Sequence, residues 1–348
     1  MTTTIERPHA APKPPWHRRA IERARRRGID VRTLPTGAAG IILAVMLVYG
    51  EVAYGQVLQA STLSNLLINN AHFVILAVGL SFVILAGGID LSVGAVIAVS
   101  SVAGVMLVGA GWPTPLAIAA MIGIGTAFGT ASGVLVQHFG VQPFIATLAM
   151  MFLARGLASM LSTTPQRLPD DSSFRLLGEP WKLIDGPRVN DLMASAGLVV
   201  AVVVVVVAAI VLQRTRFGRT VYAIGGSESS AALMGLRVPR TKLAIYVISG
   251  TLAGVAAVVY TARLGTAQNI TGMGWELTAI AAVVIGGTLL TGGYGYVVGS
   301  VIGALVLGLM TVLITRDGGV PPEMTTIITG GILFVFVMLQ RAVVRRRR

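Results

Sequence analysis

From Phe73 to Ala110 the chain reads FVILAVGLSFVILAGGIDLSVGAVIAVSSVAGVMLVGA, and Asp90 is its one charged side chain. One crossing of a bilayer's hydrocarbon core takes roughly 20 apolar residues. The run is long enough for two crossings, divided where Gly87, Gly88 and Asp90 interrupt it. Outward from there the pattern persists, for no other residue between Glu51 and Arg155 is charged. The long unbroken runs exclude a membrane β-barrel, whose strands alternate apolar and polar positions.

Composition leads to the same class. Of 348 residues, 54% are hydrophobic and 12% charged, against about 25% charged in ordinary soluble domains. The expected fold is all-α, a polytopic helical membrane protein of about ten transmembrane helices. There is no cysteine, which removes disulfide frameworks, thiolate metal sites and cysteine nucleophiles.

The ten predicted segments are 35–54, 63–87, 91–110, 115–137, 142–162, 192–213, 241–262, 276–291, 295–315 and 322–341. They form one transmembrane domain over 35–341, with a basic tail at 1–34, read as disordered, and a second at 342–348. The net charge of +13 is unevenly placed: nine basic residues lie in the first 32, six between Arg214 and Lys242, and five between Arg341 and Arg348. Loops on the cytoplasmic side carry the excess of Lys and Arg. The 163–191 loop, with four basic and five acidic residues, is therefore expected outside. The 214–240 loop, whose one acid is Glu228, is expected inside together with both termini. The basic clusters read as orientation signals that touch membrane lipid, not as a nucleic-acid surface.

An internal echo appears at an offset of 205 residues. Gly87-Gly88-Ile89-Asp90-Leu91-Ser92-Val93-Gly94-Ala95-Val96-Ile97 aligns with Gly292-Gly293-Tyr294-Gly295-Tyr296-Val297-Val298-Gly299-Ser300-Val301-Ile302, identical at six of eleven positions. Transporters are often built from two related halves whose interrupted helices frame the pathway. Two related halves are therefore expected, with Gly87, Gly88, Asp90, Ser92 and Gly94 marking a helix break near that pathway. A carboxylate in the membrane is costly and faces protein or water, so Asp90 is expected to cap the helix that follows it. A proton or ion relay is the alternative reading.

Other intramembrane polar residues are Asn69, Asn70, His72, Gln142, Arg155, Arg263, Gln268, Asn269 and Glu276. Asn69, Asn70, Gln142, Arg155, Gln268, Asn269 and Glu276 are the candidate substrate pathway, since amides and guanidinium groups bracket sugar hydroxyls well. Helix–helix adhesion is their plainer use. Trp112, Trp181 and Trp275 sit at segment ends and read as interfacial anchors. The three lysines follow Pro, Trp and Thr, so no phosphate-binding loop exists in this chain. Nor does a His-Glu-x-x-His or Gly-x-Ser-x-Gly motif. No catalytic residue, metal site or cofactor is expected in it.

In the 214–240 loop, Ser227 can cap a short helix with Glu228 in its first turn, and Gly235 can end it. Ala231, Ala232, Leu233 and Met234 would then offer a small apolar face to a partner. A transport chain without a motor and with a presented helix suggests a partner that has one.

These residues carry a resemblance. Gly88-Ile89-Asp90-Leu91-Ser92-Val93-Gly94 is similar to the signature of permease subunits of bacterial monosaccharide ABC importers, the ribose, xylose and galactose group, and the likeness runs over about 63–341. Tyr222 to Gly235 resembles that family's ATPase-coupling segment, which assigns coupling to Gly225, Gly226, Ser227, Glu228, Ala231, Ala232 and Gly235. Glu276 to Gly287 resembles its Gly-rich late helix. Leu233-Met234-Gly235 and the Thr315 to Pro322 connection look most like the galactofuranose-type permease. Where the family has Asn and a second acid, this chain has Ser227 and Ser229. The resemblance implies an inner-membrane permease paired with a second copy or a paralogue, a pore at their interface, an ABC ATPase that binds ATP and Mg, and a periplasmic or lipid-anchored sugar-binding protein. A permease for a branched-chain amino acid or nucleoside, or an ion-coupled carrier, are the alternatives.

Overall fold

The structure, a computed structural model, describes residues 34–184, 186, 191–317, 324, 327–332, 334 and 338. Both basic tails and most of the 322–341 segment lie outside the described residues. Among those described, helices α1 (Leu34–Tyr54), α2 (Ala60–Leu85), α3 (Val93–Gly109), α4 (Thr114–Gln137) and α5 (Pro143–Leu161) follow in order. Then come strand β1 (Gln166–Arg167), helix α6 (Ser173–Leu176) and strands β2 (Trp181–Ile184) and β3 (Leu192–Ala194). The chain continues through α7 (Ala196–Arg214), α8 (Arg216–Gly226), α9 (Glu228–Leu233), α10 (Val238–Leu264), β4 (Thr266–Ala267), α11 (Trp275–Ile285) and α12 (Val297–Asp317).

Seven of these helices, α1, α2, α4, α5, α7, α10 and α12, are long and apolar enough to cross a membrane. The expected segments 91–110 and 276–291 differ. They become α3, of 17 residues, and α11, of 11, about 25 Å and about 16 Å long at 1.5 Å per residue. The first loses only Leu91, Ser92 and Ala110 from the expected span, whereas in the second Gly286 to Thr291 is irregular chain. The all-α expectation also needs a small correction, since β1 pairs antiparallel with β4 and β2 with β3. Residues 192–194 belong to β3, so the helix expected from 192 starts at Ala196, where the Ser195 hydroxyl accepts from the Leu198 N–H.

Val202 to Val207 in α7 is a β-branched run of the kind favoured in strands. It is helical here because hydrocarbon leaves backbone groups no partner outside their own segment.

Burial orders the helices into layers. The apolar window of α2 is 78% buried and that of α12 61%, whereas α1 is 11% and α5 and α7 are 22% buried. The outer helices present apolar side chains such as Val52, Phe152 and Ile210 to their surroundings, as lipid-facing helices do. In the centre α2 packs on α7, α10, α11 and α12. The largest helix contact joins α4 to α10. There Gly125 and Gly129 face Gly250 and Gly254 so closely that a Cβ at Gly125 or Gly129 would strike backbone of the other helix, and Gly133 packs on Leu243. Small residues at four-residue spacing allow this approach, and packing of this kind is what holds helices together in lipid.

The two segments paired by the 205-residue offset have like geometry. Gly87 (φ +80°) follows α2 and precedes α3 by a few residues, and Gly292 (φ +81°) stands in the same relation to α11 and α12. Val93 and Val297 start the helices that follow. The two irregular stretches touch, for the Gly293 N–H donates to the Leu85 carbonyl at 2.8 Å.

Candidate functional site

The α8–α9 segment is the first part of the site. Thr215 caps α8 by accepting from the Gly218 N–H, and Ser227 caps α9 by accepting from the Ser230 N–H. Glu228 stands in the first turn of α9, and Gly235 (φ +73°) follows its end. The Gly235 and Leu236 N–H groups turn back to the Ala232 and Ala231 carbonyls. The Lys242 Nζ, on α10, lies 2.9 Å from Glu228 Oε1 and ties the short helix to that long one.

One part of the expected apolar face is corrected. Ala231 is fully buried, in a cluster with Ile224 and Val238. Ala232, Leu233 and Met234 stay exposed, with Leu233 at 90% and Met234 at 67%.

Gly225 sits where α8 meets both interrupted stretches. A Cβ there would collide with the Leu85 carbonyl oxygen and the Gly293 nitrogen, whereas a Cβ on Gly226 would meet nothing within 4 Å. The Tyr222 hydroxyl adds a 2.8 Å hydrogen bond to the Gly295 carbonyl. Burial, with Tyr296 nearby, pushes that phenol up to about 12, so it stays a donor at physiological pH.

Asp90 is fully buried. It does not occupy the N-cap expected for it: Ser92 stands at that position with helical backbone angles and no capping hydrogen bond. Instead Asp90 Oδ1 accepts from the Ser92 N–H at 3.0 Å and from its hydroxyl at 2.6 Å. Its Oδ2 accepts from Ser249 of α10 at 2.7 Å. A buried carboxylate is tolerable only when bonded in this way, and these bonds fasten the first break to α10. Gly88 lies against the Tyr246 hydroxyl oxygen. Gly94, in the first turn of α3, is packed on the Gly272 carbonyl and the Glu276 carboxylate of α11. The two short helices thus meet at their N-terminal turns, and Glu276 Oε2, buried there without a hydrogen-bond partner among the described residues, stands at the positive ends of both helix dipoles.

The candidate pathway residues are only partly assembled. Arg155 donates through NH1 to the carbonyls of Asn269 and Thr271, each at 2.7 Å, and Asn269 Nδ2 donates to Ser159. These bonds hold the 268–274 connection, which includes Gln268, against α5. Asn69 accepts from Arg263 at 3.0 Å. Gln142 is exposed at the start of α5, thirteen residues and about 20 Å of helix from Arg155, and does not join the others. Asn70 lines a cavity with His72 and Trp275.

Trp275 is not an isolated interfacial anchor. Its ring packs on His72 at 4.9 Å and edge-on to Tyr260 at 5.0 Å. Tyr222, Ser249 and Trp275 escaped the sequence reading as site residues. Among the described residues no group of three or more His, Asp or Glu comes together.

The sequence matches the family described as branched-chain amino acid transport system, permease component, over residues 62–337. A fructose import permease protein of Bifidobacterium longum (strain NCC 2705) is 49% identical over 90% of this chain and 93% of that protein. An inner membrane ABC transporter permease protein of Escherichia coli (strain K12) is 41% identical, covering 80% of this chain and 82% of its own length. The ribose import permease protein of the same strain is 38% identical, with 78% and 83% covered. This chain belongs to the family of ABC importer permease components that includes those sugar import permeases.

Proposed function

We propose that the chain is the membrane-spanning permease of an ATP-binding-cassette importer that carries a monosaccharide across the bacterial inner membrane by alternating access. A separate ATPase, holding ATP and Mg, supplies the energy. The carrying observation is the contact of Gly225 and Tyr222 with Leu85, Gly293 and Gly295. It puts the segment with the exposed Leu233 and Met234 directly against both helix breaks. An ATPase gripping those two side chains would move α8, and α8 would move the breaks that frame the passage. The basic 214–240 loop and the balanced 163–191 loop orient the coupling segment and both termini to the cytoplasm. The two aligned stretches support a molecule of two related halves with ten crossings, the last at 322–341.

The passage is completed by a second copy or a paralogue, and the sugar arrives on an external binding protein. Two cargoes lead: fructose, which the name of the 49% relative carries, and galactofuranose, which the motif resemblance favours. The description of the matched family supports a second reading, a branched-chain amino acid.

Reconstitution with the cognate ATPase and binding protein in liposomes, with labelled fructose, galactofuranose, ribose and leucine, tests the cargo. Uptake of one sugar establishes the reading; uptake of leucine alone replaces it with the second.

A further inference from the structure

A cavity of about 310 Å³ opens between α2, α11 and α12, at the small end of the roughly 300–1,000 Å³ of ligand pockets. Asn70, His72, Phe73, Trp275, Thr278 and Thr311 are among its walls, and among the described residues no Asp, Glu, Lys or Arg lines it. A charged ligand would lose its hydration there without a countercharge, which is costly. A neutral one meets two kinds of surface. His72 and Trp275 form an aromatic side, their rings inclined at 37° and braced by Tyr260.

Asn70 Nδ2 donates to the Leu66 carbonyl, and the Thr278 and Thr311 hydroxyls donate to the carbonyls of Gly274 and Leu307. With both hydroxyl donors and one amide N–H engaged, these side chains retain oxygen lone pairs for a ligand's hydroxyl hydrogens. Asn70 lies ten residues inside α2, about 15 Å from the Ala60 end, and α11 begins at the cavity with Trp275. A site between corresponding segments, at the start of a short helix, is where transporters of repeated design hold their cargo.

We infer that this cavity is a monosaccharide subsite within each permease copy. Trp275 and His72 lie against the C–H face of the ring, and Asn70, Thr278 and Thr311 accept from its hydroxyls. The inference rests on the sugar-permease reading and deepens it.

The chain has no cysteine, so Thr278→Cys and Thr311→Cys each introduce a single thiol. In proteoliposomes carrying the permease with its ATPase, the rate of labelling by a water-soluble thiol reagent is measured with and without fructose, galactofuranose and leucine. Thr164→Cys, exposed in the 163–191 loop, is the control. At ten times the dissociation constant only the empty fraction reacts, so the sugar that wild type transports should slow labelling about tenfold. Leucine should not, and the control should be unaffected.

Unchanged labelling at Thr278→Cys and Thr311→Cys under a sugar that wild type transports overturns the subsite and leaves the permease reading standing. Transport of leucine and no sugar by wild type overturns both. Tryptophan emission gives a readout that needs no thiol: the transported sugar should shift it in wild type and not in Trp275→Phe. Absence of a shift in wild type counts against the subsite.

Discussion

Tyr222 on α8 donates a 2.8 Å hydrogen bond to the carbonyl of Gly295, the residue that the internal repeat aligns with Asp90. The two breaks are thus fastened to different parts. Asp90 binds Ser249 on the long helix α10, whereas the Gly295 position is held by the segment assigned to coupling. Asp90 thus ties the first break to α10 and Tyr222 ties the second to α8, which also touches the first at Leu85. A buried hydrogen bond contributes about 0.5–1.5 kcal/mol net, and 1 kcal/mol is a factor of about five in an equilibrium. Tyr222→Phe keeps the ring and loses the bond. Uptake per ATP hydrolysed should fall about fivefold with normal membrane insertion, read from parallel uptake and phosphate-release assays.

The same phenol sets a pH dependence. Below pH 10 it is neutral in folded and unfolded chains and contributes none. Between 10 and about 12 the unfolded chain ionises first, because burial holds the native phenol up, and stability should decline across that window. Thermal denaturation of wild type and Tyr222→Phe at pH 9 and 11 tests this: the wild type should lose more on alkalisation than the variant.

Adjacent glycines in α8 should respond oppositely. At Gly225 a methyl group meets the backbone of Leu85 and Gly293, which cannot step aside cheaply. At Gly226 it meets open space. Gly225→Ala should abolish ATP-driven uptake or folded yield, and Gly226→Ala should retain both. Equal behaviour would remove the contact from the account.

Asp90 is read as a fastening. Asp90→Asn keeps an oxygen for the Ser92 N–H and should retain most uptake. Asp90→Leu leaves that N–H and the Ser249 hydroxyl buried without an acceptor, at about 1–3 kcal/mol each, and should lose folded protein in detergent gel filtration. A proton relay predicts the reverse for Asp90→Asn, normal folding with uptake gone.

Glu228→Lys places two cations where Glu228 and Lys242 pair and reverses the charge beside the exposed Leu233. Transport should be lost with insertion intact. The pair is half exposed and contributes at most about 1 kcal/mol, so unfolding is not the expected cause. Robust uptake in this variant would sink the coupling assignment.

Much of this arrangement is legible in the sequence where the signal is local. The long helices lie within about four residues of their hydropathy limits, and the Ser227, Glu228 and Gly235 pattern is the short helix observed. What escaped depends on distant partners or on direction. Ser249 lies 159 residues from Asp90, and no spacing rule joins them. Ala231 points inward because α9 lies on Val238, a neighbour that residue type does not reveal. The early end of α11 was hidden since Gly286 to Thr291 carries no charge to mark it. The four-residue spacing of Gly125 and Gly129, and of Gly250 and Gly254, was present to be read.

The central claim is that ATP, through a separate protein acting on α8 and α9, drives this permease. The most direct measurement is sugar uptake by proteoliposomes holding the permease and binding protein, with the ATPase present or omitted and with or without a proton gradient. The account predicts uptake that requires both ATPase and ATP and is indifferent to the gradient. Uptake that persists without the ATPase and follows the gradient would contradict it, and would make Asp90 and Glu276 coupling sites.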